Sequence, residues 1–192
     1  ILYIPKWNRL RILKKSSQIA ILGYAIPGAV IAIGIMIPTL ALDKWLIKIS
    51  SQLFHIEPGL LIYGTIFILI YAYVIRFMAV AFNPLKGSSI KISEGLAESS
   101  QLLGAGKLKT FFKIELPLLK TGLFSAFILV FVDAMKELPL TLILKPYDVN
   151  TLAVKAYEFA SDELILESSI PSLCIIATGV IPIIVLNRLI LK

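Results

Sequence analysis

Between Ser16 and Leu42 the sequence reads SSQIAILGYAIPGAVIAIGIMIPTLAL and contains no Lys, Arg, Asp or Glu. A helix that crosses about 30 Å of hydrocarbon needs roughly 20 apolar residues, so this stretch predicts a transmembrane helix. Backbone polar groups that face lipid must be satisfied within their own element, which makes helix the expected conformation. Three other stretches predict further spans: Pro58–Ile75, extendable across Arg76 to Phe82; Thr121–Leu144, which contains three charged residues; and Ser168–Asn187.

The composition of the whole chain agrees with this interpretation. Of its 192 residues, 58% are hydrophobic and only 16% are charged, whereas a soluble domain is nearer half apolar and a quarter charged. A compact soluble fold of this length cannot bury so much apolar surface, which excludes a soluble enzyme, a disordered chain and a disulfide-stapled secreted module. The sequence therefore predicts an all-α integral membrane protein. The single cysteine, Cys174, is expected to pack as a small hydrophobic residue.

The basic residues lie mainly between the predicted spans. They are concentrated in residues 1–17, 83–120 and 188–192, whereas the segments 43–57 and 145–167 together carry seven acids and only four bases. With four spans, the three basic segments share one side of the membrane, which the positive-inside rule assigns to the cytoplasm. We therefore expect a multi-pass protein of a bacterial-type inner membrane with both visible termini cytoplasmic. The net charge of +7 is then a topology signal, and no nucleic-acid partner is expected.

No residue pattern in the sequence is typical of catalysis. There is no Ser/His/Asp set, no metal-ligand spacing and no phosphate-binding glycine loop. The one histidine, His55, lies in a predicted outer loop and is expected to be a surface residue rather than a ligand. We predict no catalytic residue, no metal site and no cofactor bound by this chain, so the protein is not expected to be an enzyme.

The cytoplasmic segment 84–120 is much longer than a turn between two spans needs. Its apolar residues recur at helical spacing up to Leu103, and Gly104 and Gly106 then bracket a break. A second short amphipathic helix follows, and Pro117 is expected to turn the chain into the third span. This pattern predicts a helix, a glycine turn, a second helix and a proline stop. Periodicity alone leaves two functions open, an amphipathic loop on lipid headgroups and a docking element for a cytoplasmic partner.

The spacing within this loop is more specific. It resembles the EAA motif of ABC-importer permeases, which reads E-A-A, three residues, G, nine residues, I-x-L-P. Five specified residues match by chance about once in 10⁶ positions at average usage. Two serines replace the two alanines of the motif, which keeps residue size but not polarity. The seven positions of the motif, five matched and two substituted, are Glu98, Ser99, Ser100, Gly104, Ile114, Leu116 and Pro117.

The resemblance implies a type I ABC-importer transmembrane domain with cytoplasmic coupling helices. In that family the loop seats in a cleft of a separate ATPase, so ATP would bind the partner and not this chain. Glu98 would anchor the loop, Gly104 would make its turn, and Ile114, Leu116 and Pro117 would fix its exit into the membrane. The implied partners are a cytoplasmic ATPase dimer, an extracytoplasmic substrate-binding protein, a second permease half, fused or separate, and membrane lipid.

The resemblance also suggests which importer this is. Three segments look like iron(III)-type permeases: GYAIPGAVIAIGI (Gly23–Ile35), KELPLTLILKP (Lys136–Pro146) and TLAVKAYEFAS (Thr151–Ser161). Pro27 is expected to bend the first span. The chain begins with Ile, and we expect residues 1–192 to be a single transmembrane domain, the C-terminal half of a fused permease, without one or two N-terminal helices. Thiamine, sulfate, molybdate or polyamine import remain alternatives, and a membrane scaffold or an intramembrane enzyme is a more distant one.

The third span contains the candidate translocation path. Asp133, Lys136 and Glu137 carry charges that cost about 3 kcal/mol or more each within a bilayer, and Pro139 interrupts helical hydrogen bonding. Asp133 and Lys136 are three residues apart and can pair. The set predicts either a lining or gate of the path or a structural ion pair between helices, with direct iron coordination by the two carboxylates a weaker third interpretation. Arg76 is expected at the cytoplasmic interface, with a pairing to Asp133 or Glu137 as the alternative.

Overall fold

The computed structural model describes residues 23–55, 59–90, 92 and 94–190, and helix is the only regular secondary structure among them. This agrees with the predicted all-α class. The basic segment 1–17 and the first part of the predicted span Ser16–Leu42 lie outside these residues. The helices are α1 (Gly28–Phe54), α2 (Ile66–Ile90), α3 (Glu94–Leu102), α4 (Lys107–Thr110), a π-helical turn (Phe111–Glu115), α5 (Leu116–Met135), α6 (Pro139–Leu144), α7 (Leu152–Ser161) and α8 (Ile165–Ile190).

Within the described residues, four helical segments are long and apolar enough to cross a membrane. This number confirms the four spans predicted from the sequence. The segments are Gly28–Leu53, Ile66–Ile90, Lys107–Met135 and Ile165–Ile184.

The first predicted span was placed too early in the chain. Pro27 is the N-cap of α1 rather than a bend within it, and the helix continues through Asp43 to Phe54. Residues 43–54 are therefore helical and not part of an outer loop. The sequence pattern misled because Asp43 looked like the end of an apolar run. Its side chain is fully buried, since it accepts hydrogen bonds from the turn that precedes α2.

The second and third spans also differ from their predicted bounds. Helix α2 begins at Ile66 and extends to Ile90, beyond the predicted limit at Phe82. Helix α5 ends at Met135, and a new helix, α6, starts with Pro139 as its first residue. Pro139 has no N–H to donate and a φ suited to a first turn, so it starts a helix here. Lys136 and Glu137 thus lie in a break, not within a helix as predicted.

The described residues form two compact units. We call Gly23–Phe77 with Val132–Val180 the core unit, and Met78–Phe131 with residues 181–190 the loop unit. In the core unit α6 packs against α1 and the first half of α2. The buried apolar side chains of this cluster are Ile31, Ala32, Leu69, Ala72, Leu140 and Leu144.

The loop unit contains one very close helix approach. A Cβ on Gly122 of α5 would overlap the side chain of Ser88 and would lie 3.1 Å from the backbone oxygen of Pro84, both in α2. Glycine at this position therefore sets how near the two helices lie.

Helix α8 is apolar and mostly exposed, and Cys174 on it is exposed rather than packed as predicted. His55 is exposed at the C-terminal end of α1, as expected.

Candidate translocation and coupling sites

The break between α5 and α6 is held by an ion pair in the core unit. The guanidinium Nε of Arg76 lies 2.8 Å from the Oε2 of Glu137, and these side chains are only 17% and 8% exposed. The side chain of Arg76 is thus largely buried and paired. The pairing with Glu137, which the sequence left open, is the one the structure has. A buried charge is costly unless it is paired, so each of the two residues offsets part of the desolvation cost of the other.

A second contact ties the same arginine to the segment before α1. The Nη1 of Arg76 donates a hydrogen bond to the backbone oxygen of Ile26 at 2.7 Å. Gly28, two residues later, lies directly against the pair. A Cβ there would overlap the Oε1 of Glu137 and would lie 3.3 Å from the Cζ of Arg76. Glycine at position 28 thus leaves the space in which the ion pair forms.

Glu137 also caps the short helix α6. Its Oε1 accepts from the backbone N of Leu140 at 3.3 Å, and its backbone oxygen accepts from the hydroxyl of Thr141 at 2.7 Å. The Tyr73 hydroxyl lies 2.6 Å from the same Thr141 hydroxyl. Because the Thr141 proton is used toward Glu137, Tyr73 must be the donor to Thr141. Both ends of α6 are anchored in this way, since the Tyr63 hydroxyl donates to the backbone oxygen of Ile143 at 2.9 Å.

Asp133 and Lys136 form a separate pair where α5 ends and the break begins. The Nζ of Lys136 lies 2.8 Å from the Oδ1 of Asp133, as the i,i+3 spacing predicted. The lysine side chain is 61% exposed and the aspartate 16%. The sequence suggested that Asp133 and Glu137 would repel one another unless both were solvated. The structure removes that conflict because each carboxylate has its own cation.

The end of helix α3 forms the turn predicted at Gly104. Gly104 has φ of +83°, a conformation that glycine adopts without the clash other residues meet. The backbone N of Ala105 donates to the oxygen of Ser100 at 3.1 Å, and the N of Leu103 donates to the oxygen of Ser99 at 3.1 Å. This is a Schellman-type helix end, which satisfies carbonyls that would otherwise have no partner.

A buried hydroxyl pair closes the loop across this turn. The Ser100 Oγ lies 2.9 Å from the Thr110 Oγ1, which also lies 3.3 Å from the backbone oxygen of Gly106. Both side chains are buried. The serine that departs from the alanine of the motif therefore has a partner, and that partner is a residue the sequence analysis did not single out. The sequence offers one signal for Thr110. This residue lies ten positions after Ser100, one helical turn inside the second helix.

The outside of the same loop presents large apolar side chains to solvent. Leu102 and Leu103 are 89% and 88% exposed, and Leu108 and Phe112 are also mostly exposed. Glu98 lies in α3, but its side chain is outside the described part of the chain. We call Leu102, Leu103, Leu108 and Phe112 the apolar tip.

The predicted stop at Pro117 is wrong. Pro117 is the second residue of α5, and the helix runs from Lys107 to Met135 without a break. The reason is the π-helical turn Phe111–Glu115, at whose end the N of Leu116 donates to the oxygen of Phe111. A π-helical turn shifts the pattern of backbone hydrogen bonds by one residue. The proline, which has no N–H to donate, can therefore stand in the helix without ending it. Ile114 and Leu116 are half-buried beside it.

Residues 9–192 match the family described as "binding-protein-dependent transport system inner membrane component". The chain belongs to this family. Its members are membrane components of transport systems, and four apolar helices of spanning length among the described residues agree with that assignment.

Three relatives of this inner membrane component differ in their stated substrates. The Fe(3+)-transport system permease protein of Haemophilus influenzae is 30% identical over 148 residues, 77% of this chain and 29% of that protein. The molybdate/tungstate transport system permease protein of Methanocaldococcus jannaschii is 34% identical over 76 residues, 40% of this chain and 30% of that protein. A spermidine/putrescine transport system permease homolog of Mycoplasma genitalium is 38% identical over 69 residues, 36% of this chain and 24% of that protein. The matched segments thus cover between about a quarter and a third of each relative.

The candidate residues of this inner membrane component fall into two groups. Asp133, Lys136, Glu137 and Pro139 meet around the α5–α6 break in the core unit, whereas Ser99, Ser100 and Gly104 form the turn of the loop unit. No group of three or more His, Cys, Asp or Glu side chains that could hold a metal ion occurs within residues 23–55, 59–90, 92 and 94–190. The sequence left the pairing of Arg76 open, and it missed Gly28, Tyr73 and Thr141 as neighbours of the break.

Proposed function

We propose that this chain is part of the membrane-spanning permease of an ATP-driven importer for iron(III). It would contribute to the translocation path and couple that path to a separate cytoplasmic ATPase dimer. Family membership supports a transport role in the membrane. Iron is favoured because the Fe(3+)-transport relative matches 77% of this chain, whereas the molybdate/tungstate and polyamine relatives match 40% and 36%.

The apolar tip of the loop unit is the observation that carries the coupling role. Large apolar side chains exposed in a group favour a site of protein contact, and Lys107, Lys109 and Lys113 lie close to them in the sequence. A loop resting on lipid headgroups would need its apolar side chains on one helical face. Here Leu102 and Leu103 are adjacent at a helix end, beside the turn at Gly104, which fits a cleft better than a flat surface.

Coupling in this proposal uses the continuity of one helix. Residues Lys107–Met135 form a single helical segment that begins in the loop and ends at the α5–α6 break. When two ATPase subunits close on ATP, a loop seated in their cleft would be displaced, and this helix would move as a rigid body. The break at residues 136–138 is then the position where that movement changes the path. ATP stays on the ATPase, and this chain binds no cofactor.

Sidedness and further partners follow from the same proposal. The loop must face the cytoplasm to meet an ATPase, so four spans leave both visible termini on that side. An extracytoplasmic binding protein would deliver the iron(III) cargo to the opposite face. A second permease half, fused or separate, would complete the path, with this chain as one transmembrane domain of the pair.

The test uses the complete transporter that contains this chain, in proteoliposomes with its ATPase and binding protein. Leu103→Glu places a charge in the apolar tip and should abolish ATP-driven iron(III) uptake and ATPase association while membrane insertion stays normal. Gly106→Ala is the matched control, because a Cβ at Gly106 meets only open space. Normal uptake by Leu103→Glu would refute the coupling role.

Substrate identity is measured in the same vesicles. Uptake of labelled iron(III) is compared with uptake of molybdate, sulfate, thiamine and spermidine. Iron(III) uptake alone supports the proposal. Uptake of molybdate, sulfate, thiamine or spermidine without uptake of iron(III) would support an importer but would show that its substrate is not iron(III). Absence of ATP-dependent uptake and of any ATPase association would favour a scaffold or an intramembrane enzyme.

A further inference from the structure

We propose that Arg76 is a positioning residue for transport, which acts through Glu137 to hold the α5–α6 break in one geometry. This inference rests on the proposed transport function. Arg76 does not have to touch the cargo. Its role would be to fix the segment that carries Lys136, the most exposed charge at the break, and thereby the Asp133–Lys136 pair.

Three segments of the core unit meet at the guanidinium of Arg76. Arg76 belongs to α2, its Nη1 donates to Ile26 before α1, and its Nε donates to Glu137 in the break. These three segments are far apart in the sequence, by 50 and 61 residues from Arg76. A planar group with donors in a fixed fork sets angles as well as distances between its partners. The arginine therefore specifies where the break lies with respect to α1 and α2.

All three oxygens of Glu137 accept hydrogen bonds in this arrangement. Its Oε2 accepts from Arg76, its Oε1 accepts from Leu140, and its backbone oxygen accepts from Thr141. Rotation of this side chain would give up the ion pair and the cap of α6 together. Gly28 fits against the same carboxylate, so the surrounding packing is shaped to the ion pair.

Buried ion pairs often contribute little net stability, and an apolar pair of similar volume is frequently neutral or better. Stability alone therefore does not explain this pair. Packing between apolar side chains is not directional, so an apolar replacement would fill the space but would not fix the geometry of the break. This separates a positioning role from a packing role.

The experiment compares four versions of the complete transporter: wild type, Arg76→Met with Glu137→Met, Arg76→Lys, and Lys155→Met with Glu158→Met. The last removes an exposed i,i+3 ion pair of α7 and serves as the matched control. The double Met variant removes a costly buried ion pair, but it also takes the acceptor from the Leu140 N–H and the donor from the Ile26 oxygen, so it should melt close to or somewhat below the wild-type temperature. Its maximal iron(III) uptake should fall about tenfold, within the range for removing one link of a coupling network, at an unchanged KM for the loaded binding protein. Arg76→Lys, which keeps the charge but not the fork, should recover part of the rate.

A readout independent of transport accompanies these rates. Lys136→Cys in a Cys174→Ser background is labelled with a thiol reagent, and the double Met change should alter its labelling rate. Wild-type uptake and labelling in the double Met variant would overturn the inference while leaving the importer intact. If the double Met variant does not insert, wild-type uptake and labelling in Arg76→Lys would overturn it equally. A wild-type transporter that moves no substrate would instead refute the proposed function.

Discussion

Replacement of Gly28 by alanine adds a methyl group where the Arg76–Glu137 pair has no room. The new Cβ would overlap the Oε1 of Glu137 and would lie 3.3 Å from the Cζ of Arg76. The carboxylate must retreat by about 1 Å to reach an ordinary contact distance, which lengthens its bond to Arg76 or to Leu140. Overpacking of this kind costs about 1–3 kcal/mol. For a chain of this length the melting temperature in detergent should fall by roughly 2–12 °C.

The control lies in the same helix. Gly34→Ala adds the same methyl group where nothing lies within 4 Å, and it should gain about 0.5–1 kcal/mol of helix stability. In a Glu137→Ala background the overlapped oxygen is absent, so Gly28→Ala should then cost little, and the difference is a coupling energy. A Gly28→Ala protein that melts at or above the Gly34→Ala protein would refute this reasoning.

Three other outcomes are expected. Gly104→Val forces a branched side chain to positive φ, at a cost of about 1–2 kcal/mol, and should lower the ratio of transport to ATP hydrolysis. Gly106→Val is the control, because Gly106 has φ −64°, and it should leave that ratio unchanged. Asp43→Ala removes the acceptor of three backbone N–H groups and should lower thermal stability by on the order of 2 kcal/mol; no change in melting would contradict the assigned contacts. A hydrogen bond from Lys155 lowers the pKa of Glu158 in the folded protein. The contribution of this pair to folding stability is therefore fully present above the pKa of an unfolded glutamate, about 4.3, and is lost as the pH falls through the lowered pKa of the folded state. Lys155→Met should return the NMR titration midpoint of Glu158 toward that unfolded value, and an unmoved midpoint would contradict the pairing.

Local patterns in the sequence predicted the number of spans and several details correctly. The Asp133–Lys136 pair follows from i,i+3 spacing, and the turn at Gly104 follows from a glycine after an amphipathic run. Both depend on residues close together in the chain. Apolar composition is likewise a local property, so it predicts that a helix crosses the membrane.

Helix bounds and the partners of buried charges could not be predicted in the same way. Asp43 looked like a helix end because a charge interrupts the apolar run. Its oxygens in fact accept hydrogen bonds from a turn 18–20 residues later, which local sequence cannot reveal. The pairing of Arg76 with Glu137 could only be left open, because the two residues are 61 positions apart in the chain. Pro117 looked like a stop, and the π-helical turn before it makes it compatible with a continuous helix. In each case a hydrogen bond made by the fold decides the outcome.

The buried carboxylate of Asp43 has a further consequence for how the protein is made. It satisfies the backbone N–H groups of Leu61, Ile62 and Tyr63, and all four residues leave the ribosome within a short interval. Helices α1 and α2 can therefore close as a hairpin during synthesis, before α6 exists to cover them. The three N–H groups then already have their acceptor when these helices meet the insertion machinery, so the two helices can enter the bilayer together.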